Sequence, residues 1–561
     1  MRLTFNHEIS SKEDFIPKSL VDLILNSRQI KNPKEFLNPI SPLKISLTDF
    51  NQKYQLQLDK VVKLLEKIKK NDQMIVVYTD YDADGVTGGA ILWETLYLLG
   101  FKVMPYVPDR KKEGYGFSIT GIDNVINQFN PALIISVDHG ITKVKEIAYA
   151  NKRGVRIIVT DHHLKSDTAP EAEAIFHIPA LSGSGVAYFF AKEIFKNLKF
   201  KISNFKLLEN NFQTDYLALA SIGTIADLVP LIGPSRSVVK FGLDAFPKVK
   251  RYGIRHILIQ AGIEGKKITP YEVGFIIAPR INAVGRLHLA IDALRLLCTT
   301  DEKKAERLAK SIGETNAKRQ DLVEKSVNEA KSMIAKTPAI IKNKLIILVS
   351  ENWHEGIIGL IASKLVEQFY RPTIVLTKTD GHYKASARSI PAFNITSFLK
   401  DLKELLIDVG GHAAAAGFTI EESMLKNFMT VAQKKANSQI RDEDLEEVIH
   451  ADIKLPLSML NLSYALELEK LEPYGIGNQK PIFLSDVELM SASYLGRSLK
   501  HLKLIFKDLK SDRSVEFIAF NMGEKFNMLS RGQKYQIAYN LEIDRWGGGA
   551  EKLKGRLIAQ L

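Results

Sequence analysis

Short apolar runs rich in β-branched residues recur in the first half of the chain, and three of them end in aspartate. They are MIVVYTD (74–80), ALIISVD (132–138) and VRIIVTD (155–161). Runs of this kind are typical of strands that are buried on both faces of a parallel sheet. Intervening segments such as GGAILWETLYLLG are typical of helices. The pattern therefore predicts βαβ units and an α/β domain with an open, mostly parallel sheet over residues 71–299.

The pattern changes further along the chain. The charged, proline-free segment 300–336 has apolar residues at roughly helical spacing, which predicts a long helix that joins two domains. The runs KLIILVS and PTIVLTK then restart an α/β pattern, so we expect a second α/β domain over 337–440. Beyond 448, segments such as HLKLIFK and KYQIAYNLEI predict a small β-barrel or sandwich over 448–561. We expect residues 1–70 to pack on the first domain.

Composition restricts the class of protein. With 45% hydrophobic and 25% charged residues, the chain has the profile of a soluble globular protein. Its one cysteine, Cys298, excludes an intramolecular disulfide framework. We expect a cytoplasmic location, because the start MRLTFNHEIS lacks a signal-peptide core and no run approaches the ~18 apolar residues of a membrane span. The net charge of +13 favours a polyanionic partner, nucleic acid before a membrane surface.

Acidic residues at the strand ends run against that overall positive charge. The carboxyl ends of parallel strands line a shared crevice, so Asp80, Asp138 and Asp161 are expected in one cleft. The adjoining loops, and a predicted helix and loop at 217–231, add further candidates to the same cleft: Asp82, Asp84, His162, His163 and Asp227.

Such a cluster restricts the chemistry. Carboxylates a few Å apart raise one another's pKa, and a divalent cation reverses that cost. Oxygen-rich ligands with a histidine suit Mn²⁺ or Mg²⁺, and two such ions can clamp a phosphoryl group for in-line displacement. Taken singly, Asp80 or Asp138 could instead cap a helix. Three strand ends with the same acid, one with two further carboxylates and another with two histidines, favour metal binding.

The motifs resemble the DHH phosphoesterase superfamily, and within it the RecJ type of single-strand-specific exonuclease. DYDADG, VDHG, DHH and GTIADLVPL look like the superfamily's metal motifs. The RecJ-type blocks, in order, are VPDRKKEGYGF (107–117), LSGSGVAY (181–188), APRINAVGRL (278–287), WHEGIIGLIASKL (353–365), SARSI (386–390), GGHAAAAGF (410–418) and LEPYGIGNQKPIF (471–483). The resemblance covers roughly residues 70–550.

The resemblance implies a hydrolase that removes nucleotides from the 5′ end of single-stranded DNA in repair and recombination, with two Mn²⁺ or Mg²⁺ ions. It also implies a DHH-associated substrate-binding domain at 337–440 and an OB-fold at 448–561. The metal ligands would be Asp82, Asp84, Asp138, His162 and Asp227, with Asp138 as the bridge. Asp80 would lie in or behind the ligand set, and His163 would contact the scissile phosphate.

The resemblance also assigns the nucleic-acid contacts. Residues implied to hold the terminal phosphate or to line the strand path are Arg110, Arg280, Asn282, Arg286, Ser386, Arg388 and His412. GGHAAAAGF would bring backbone amides close to a phosphate, or would form a packed turn into a helix. In the last domain, a basic stretch at 496–510 would bind the strand. Tyr494, Phe506 and Trp546 are candidates for base stacking, but a core position is favoured for each, because half the residues of any strand face inward.

Alternatives remain open at this point. A small-nucleotide or oligoribonucleotide phosphoesterase of the same superfamily would lack the OB-like domain, and a non-catalytic scaffold would have lost ligands. His139 departs from the family pattern and would either perturb the metal shell or hydrogen-bond behind it. A helicase and a single-strand-binding protein are the partners expected for such an exonuclease, and a monomer would suffice.

Overall fold

The computed structural model describes residues 2–9, 17–110, 112–198, 204–287, 289–379, 381–545 and 551–560. The chain divides into two compact units. One, unit 1, contains Met1–Thr4 and Glu314–Ile449, and the other, unit 2, contains Phe5–Gly313 and His450–Leu561. None of the helices in the described ranges combines the length and the apolar character that a membrane crossing requires.

The N-terminal part of unit 2 leads into a three-layer α/β domain. The chain first forms β1 (Arg2–Glu8), α1 (Pro17–Ser27), α2 (Pro33–Leu37), α3 (Leu47–Phe50) and α4 (Tyr54–Lys70). The domain then alternates β2 (Ile75–Thr79), α5 (Ala83–Leu98), β3 (Val103–Tyr106), α6 (Ile119–Phe129), β4 (Leu133–Val137), α7 (Val144–Lys152), β5 (Arg156–Asp161), β6 (Ala174–His177) and α8 (Gly183–Asn197).

The sheet of this domain is parallel throughout, with strand order β3-β2-β4-β5-β6. Every residue of β2 and β4 is buried, because helices cover both faces. Residues such as Val77 and Ile135 pack with α4, α5 and α8, whereas Val76 and Ile134 pack with α6 and α7. This explains the uninterrupted apolar runs in the sequence, and the predicted α/β fold with a parallel sheet is confirmed.

A helical region completes the first domain. It contains α9 (Phe205–Gln213), α10 (Asp215–Ala226), α11 (Gly233–Ala245), α12 (Tyr252–Gln260), α13 (Pro270–Glu272), a π-helical turn (Val273–Ile277), α14 (Ala278–Leu287) and α15 (Ile291–Cys298). The long helix α16 (Glu302–Lys336) follows and crosses from unit 2 into unit 1.

Unit 1 contains a second, mixed sheet of order β10-β11-β9-β8-β7. Its elements are α17 (Ala339–Lys342), β7 (Ile346–Val349), α18 (Ile358–Phe369), β8 (Thr373–Thr379), β9 (His382–Arg388), α19 (Ile395–Lys400), β10 (Asp408–His412), β11 (Ala415–Glu421) and α20 (Leu425–Gln439). The interpretation of GGHAAAAGF as a turn into a helix is wrong, because this segment forms the β10–β11 hairpin.

The last part of the chain forms a closed barrel. Its elements are β12 (Val448–Lys454), α21 (Leu462–Glu469), β13 (Phe483–Leu495), β14 (His501–Asp508), β15 (Ser514–Ala519), β16 (Lys534–Asp544) and β17 (Lys552–Gln560). Strands β13 to β17 pair in the order β13-β14-β15-β17-β16, and β16 pairs back with β13. The predicted C-terminal OB-like barrel is therefore confirmed.

Candidate metal centre and nucleic-acid contacts

The parallel sheet brings three strand ends to one edge. The backbone amide of Asp80 donates to the carbonyl of Val137, and that of Asp138 donates to the carbonyl of Thr160. These bonds continue the β2–β4–β5 pairing by one residue, so Asp80 and Asp138 lie side by side with Asp161. Asp227 reaches the same place as the residue that directly follows α10.

Helix N-termini position the next two carboxylates. Asp82 caps α5, and its side chain accepts hydrogen bonds from the amides of Asp84 (2.9 Å) and Gly85 (3.0 Å). The carboxylate of Asp84 reaches the start of α8, where it accepts from the amides of Gly183 (2.6 Å) and Ser184 (2.9 Å). The partial positive charge of a helix N-terminus stabilises ionised carboxylates. The same carboxylate can therefore accept hydrogen bonds from a helix N-terminus and still bind a metal ion.

Several acidic and histidine side chains converge on a small volume. The Nε2 atom of His162 lies 3.1 Å from Oδ1 of Asp138, 3.4 Å from Oδ2 of Asp227 and 3.9 Å from Oδ2 of Asp84. Among the described residues, potential ligand atoms within 4.8 Å of one another form overlapping groups: Asp84, His162 and Asp227; Asp80, Asp82 and Asp138; and Asp138, His162 and His163. Asp138 is common to the last two groups.

The convergent atoms are poorly satisfied by the protein itself. Oδ1 of Asp138, Oδ1 of Asp80 and Nε2 of His162 are buried, and none has a hydrogen-bond partner among the described residues. Buried polar atoms nearly always have a hydrogen-bond partner, so these three atoms without one require an explanation. Two carboxylate oxygens and an imidazole nitrogen that face one volume suit a bound divalent cation.

The pKa shifts support this interpretation. Burial, then the charge of Asp84, raises the pKa of Asp138 well above its ordinary value, and the same two causes raise the pKa of Asp227 to about 8. Burial, then the charge of Asp82, raises the pKa of Asp80. Burial lowers the pKa of His162, which favours the neutral imidazole that a metal ligand needs. The carboxylates can all be ionised together only if a cation compensates them.

Asp161 and His163 form a pair behind the cluster. The Asp161 carboxylate accepts from the amides of Ile141 (2.8 Å) and His162 (2.7 Å) and lies 2.8 Å from Nδ1 of His163. Burial alone would lower the pKa of His163, but the hydrogen bond and charge of Asp161 outweigh it and raise that pKa to about 9. The Tyr115 hydroxyl lies 3.0 Å from the other nitrogen, Nε2. His163 is thus held at both ring nitrogens.

His139 lies outside the ligand groups. Its ring is fully buried, packs edge-on against Phe117 at 4.5 Å, and places Nε2 3.1 Å from the carbonyl of Tyr78. Burial lowers its pKa to about 3, so the ring is neutral. Of the two expectations for this departure from the family pattern, the geometry matches the hydrogen bond behind the site.

The residues expected along the strand path have different neighbours. The side-chain oxygen of Asn282 accepts from the amide of Ala83 at 2.7 Å, so it holds the loop that carries Asp82. The guanidinium of Arg110 lies 5.2 Å from the ring of Tyr81 in the same loop. Burial raises the pKa of Tyr81, and the positive charges of Arg110 and Arg286 partly offset that rise. Nη1 of Arg280 donates to the carbonyl of Ile276, one turn earlier along the chain.

In unit 1, the sheet register builds a face with small side chains. Two rows cross β9, β11 and β10: Ser386, Gly417 and Gly410 in one, and Arg388, Ala415 and His412 in the other. Residues two apart in a strand share a face, and the intervening Ala387 and Ala416 are buried in the core. Ser386, Arg388 and His412 therefore project from one side of the sheet, beside two glycines that leave the backbone accessible.

Helix α18 closes in on the same face. A Cβ atom at Gly359, in the first turn of α18, would lie 2.9 Å from both the Ser386 hydroxyl and an Arg388 nitrogen, so a side chain there would displace one or both groups. Nη1 of Arg388 donates to the Ser386 hydroxyl at 3.0 Å, and burial lowers the pKa of Arg388. The structure thus brings together a helix N-terminus, a half-buried guanidinium and a hydroxyl.

The barrel separates the two alternatives for its aromatic residues. Phe506 is fully buried in the barrel core, so it is a core residue, as the sequence favoured, and not a stacking residue. Tyr494 is 39% exposed and stacks on Phe526 with ring centroids 4.5 Å apart, and Trp546 lies outside the described residues. Two lysines of the basic stretch are already paired, Lys503 with Glu516 and Lys507 with Asp512.

Comparisons with known proteins agree with this architecture. Family models match the chain as "DHH family, N-terminal domain" at 74–224, "DHHA1 domain" at 342–441 and "RecJ OB domain" at 451–554. The single-stranded-DNA-specific exonuclease RecJ of Haemophilus influenzae is 30% identical over 549 residues, which cover 94% of each chain. The chain belongs to the RecJ family. It is a metal-dependent nuclease by membership of that family.

Two further RecJ proteins define the extent of the match. The RecJ exonuclease of Bacillus subtilis is 32% identical over 502 residues, which cover 89% of this chain and 63% of the relative. The crystal structure of RecJ from Thermus thermophilus in complex with Mn²⁺ superimposes with a TM-score of 0.80 at 27% identity. That superposition covers all of this chain and 80% of the RecJ chain.

Sequence reasoning did not single out three residues that have contacts at the site or on the barrel surface. Tyr115 contacts His163, and the guanidinium of Arg556 lies 5.1 Å from the exposed ring of Phe520 on the barrel. Tyr115 lies within the family block VPDRKKEGYGF (107–117), but only the fold shows that it contacts His163. Nothing in the local pattern distinguishes Phe520 from a core residue.

Proposed function

We propose that this chain hydrolyses single-stranded DNA from its 5′ end, one nucleotide at a time, with two Mn²⁺ or Mg²⁺ ions. The observation that carries the proposal is the set of buried carboxylate and imidazole atoms that face one another without hydrogen-bond partners. The relatives named RecJ are single-stranded-DNA-specific exonucleases, and one of them is solved with Mn²⁺. A role in DNA repair and recombination follows from the same family.

The ligand groups divide naturally between two ions. Asp84, His162 and Asp227 would hold one ion, Asp80 and Asp82 would contribute to the other, and Asp138 would lie between them. Two bound cations supply a nucleophilic water and neutralise charge on the phosphoryl group. The amides at the start of α8 hold Asp84 in place, and a side chain at Gly183 would collide with the Asp138 carboxylate.

His163 is suited to contact the phosphate. The hydrogen bond and charge of Asp161 outweigh burial and raise the pKa of His163 to about 9, which favours the protonated ring, and Asp161 and Tyr115 hold the ring at both nitrogens. A fixed cation beside the reacting phosphate stabilises negative charge that develops there. Arg110, Arg280 and Arg286 would guide the strand, and Asn282 acts by holding the loop of Asp82.

The face in unit 1 is suited to a terminal phosphate. Ser386, Arg388 and His412, with the bare backbone at Gly410 and Gly417 and the first turn of α18, form a set of donors suited to a terminal phosphate. By similarity to the RecJ exonucleases, this phosphate would be the one at the 5′ end of the strand.

The barrel favours a polymeric substrate over a small nucleotide. A phosphoesterase for dinucleotides or short oligoribonucleotides does not need the C-terminal domain that the family model matches at 451–554. We also propose that the enzyme acts as a monomer in the cytoplasm, and that a helicase and a single-strand-binding protein prepare its substrate.

Digestion of end-labelled strands tests the proposed function. Single-stranded and duplex oligonucleotides, with and without a 5′ phosphate, are incubated with Mn²⁺, Mg²⁺ or chelator. We expect mononucleotides to be released from the 5′ end of the single strand, and only when a metal ion is present. The matched variant Arg388→Lys should lose preference for the 5′ phosphate, because lysine cannot form the bidentate contact.

Two results would contradict the proposal. Release from the 3′ end would contradict the assignment of the 5′-phosphate site to Ser386, Arg388 and His412. Rapid cleavage of dinucleotides with no cleavage of longer strands would favour the small-nucleotide phosphoesterase.

A further inference from the structure

A fourth strand end lies at the edge of the sheet that carries the metal centre. His177 ends the edge strand β6 and is paired with Asp161, which ends β5. The amide of Ile178, the next residue, donates to the carbonyl of Asp161 at 3.0 Å. His177 therefore lies beside the residue from which the loop with His162 and His163 begins.

The side chain of His177 reaches into that loop. Its Nε2 atom lies 2.6 Å from the carbonyl oxygen of His163. Because a carbonyl oxygen can only accept, the imidazole donates in this bond and carries a proton on Nε2. Burial lowers the pKa of His177, which favours the neutral ring with that proton. The residue is only 9% exposed, so water competes little for the bond.

The loop after β5 is attached to the fold on both sides of its two histidines. The Asp161 carboxylate accepts from the amides of His162 and His163 at 2.7 and 3.1 Å, which fixes the start of the loop. Beyond His163, residues 164–169 form no helix or strand and are all exposed. The hydrogen bond from His177 thus holds the histidine pair at the point where the chain leaves the sheet.

Tyr54, on α4, fixes His177 in turn. Its buried hydroxyl accepts from the amide of His177 at 3.2 Å and donates to the carbonyl of the same residue at 2.5 Å. The Tyr54 ring packs against Phe176, with ring centroids 5.4 Å apart. These contacts connect α4 through β6 to the loop, so a packed part of the core supports the two histidines.

We propose that His177 is a positioning residue, whose hydrogen bond to the His163 carbonyl sets the directions in which the rings of His162 and His163 enter the metal centre. The direction matters for His162 because its Nε2 lies within 3.4 Å of both Asp138 and Asp227. Loss of a partner behind a metal ligand typically costs 10- to 100-fold in metal affinity or activity. The inference rests on the proposed function and deepens it, since it names a residue outside the ligand groups on which both histidines depend.

Two replacements of His177 separate its hydrogen bond from its bulk. His177→Phe retains a planar ring without a donor and should lower kcat about tenfold. KM for the single strand should not change, because the residues proposed to bind the strand keep their contacts. His177→Gln can place an amide nitrogen near the same carbonyl and should recover most of the loss. In calorimetric titration, Mn²⁺ should bind about tenfold more weakly to His177→Phe than to His177→Gln.

His256→Phe is the matched control. His256 is also 9% exposed, but it lies on α12, with its Nε2 atom 3.8 Å from a carboxylate oxygen of Glu302 at the start of α16. The same replacement at this position should leave kcat, KM and Mn²⁺ affinity unchanged, and any effect should be confined to the unfolding temperature.

Tyr54→Phe tests the support of His177 without changing His177 itself. Removal of the hydroxyl should lower kcat about threefold, within the range expected for one hydrogen bond. In the double variant with His177→Phe, the loss should be smaller than the product of the two single losses, because both changes act through the same carbonyl of His163.

Three results would overturn the inference. They are normal kcat and Mn²⁺ affinity in His177→Phe, equal losses in His177→Phe and His177→Gln, and losses confined to the unfolding temperature. Should His177→Phe not fold, unchanged kcat and Mn²⁺ affinity in Tyr54→Phe would overturn it equally. Absence of nuclease activity in the unmodified protein would instead contradict the proposed function, and the Mn²⁺ titrations would still decide the role of His177.

Discussion

Unit 2 contains two kinds of buried charge that differ in how the protein satisfies them. At the metal centre, acids and a histidine face one another and several atoms have no hydrogen-bond partner. Elsewhere in the same unit, backbone carbonyls surround the buried cations Arg236 and Lys192, and the Glu193 carboxylate lies 4.0 Å from the Lys192 amine. The first arrangement suits an external cation. In the second, the donors of Arg236 and Lys192 are matched by carbonyls of the fold, and among the described residues only Oε1 of Glu193 is left without a hydrogen-bond partner there.

Arg236 joins three segments of the chain. From α11 it donates to the carbonyl of Phe36 at 2.6 Å, and to those of Leu471, Glu472 and Pro473 in the loop before the barrel. Its guanidinium also lies 3.9 Å from the centre of the Phe36 ring. Lys192, on α8, donates to the carbonyls of Pro42 and Ile45.

The difference shows which buried charges serve structure and which serve a ligand. A buried group whose donors are matched stabilises the fold, and its removal leaves carbonyls without partners. A buried cluster with unmatched acceptors destabilises the ligand-free protein, and its removal relieves repulsion. The two sets should therefore respond to mutation in opposite ways.

The largest expected effect is on activity, at the acid cluster. Asp138→Asn should reduce nuclease activity about 10²-fold or more, because even groups behind a metal ligand typically contribute 10- to 100-fold. Asparagine retains the shape and tolerates the φ of 70° at this position, which alanine would not. The metal-free variant should unfold at a temperature no lower than that of the unmodified protein, as measured by calorimetry.

The control for Asp138→Asn makes the same chemical change elsewhere. Asp123 pairs with Arg153 at 2.6 Å on the surface, and Asp123→Asn should leave nuclease activity unchanged. An Asp138→Asn variant with normal activity would contradict the assignment of Asp138 to the metal centre.

Arg236→Met should show the opposite behaviour. Loss of its four hydrogen bonds leaves buried carbonyls unpaired, so we expect unfolding free energy to fall by about 3 kcal/mol. Turnover of the folded fraction at saturating substrate should not change. Denaturant unfolding measures the effect, and Arg307→Met, at an exposed position on α16, is the matched control. A stability equal to that of the control would show that the hydrogen bonds of Arg236 are unimportant.

Lys192 gives a smaller effect that depends on pH. Burial lowers its pKa from 10.5 to about 7, so between these values the unfolded chain binds more protons than the folded one. Stability from Lys192 should therefore rise with pH through that window. Between about pH 7 and 8.5, the stability difference between the unmodified protein and Lys192→Met should change in this direction by roughly 1–2 kcal/mol. A difference that does not change with pH would place this lysine in a more polar environment.

Much of the fold followed from hydrophobic patterns. The buried strands β2, β4 and β5 have uninterrupted apolar runs, but the edge strands β3 and β6 are four residues each and contain proline or histidine. The core position of Phe506, which the sequence favoured, fits the alternation in β14, where Leu502, Leu504 and Phe506 face the core together. The β10–β11 hairpin was ambiguous because glycine and alanine have no strong strand preference.

The convergence of acids at the metal centre was predictable for a general reason. Parallel strands deliver their carboxyl ends to one edge, so Asp80 and Asp138 had to be neighbours once the sheet was correct. The orientation of His139 away from the centre, and the contact between Tyr115 and His163, depend on side-chain directions that a linear pattern does not contain.

Calorimetric titration with Mn²⁺ tests the central claim, that the unsatisfied acids form a two-ion site. The unmodified protein should bind two ions per chain, and Asp138→Asn should bind at most one with comparable affinity, because Asp138 lies between the two ligand groups. Binding of two ions by Asp138→Asn with unchanged affinity would contradict the account.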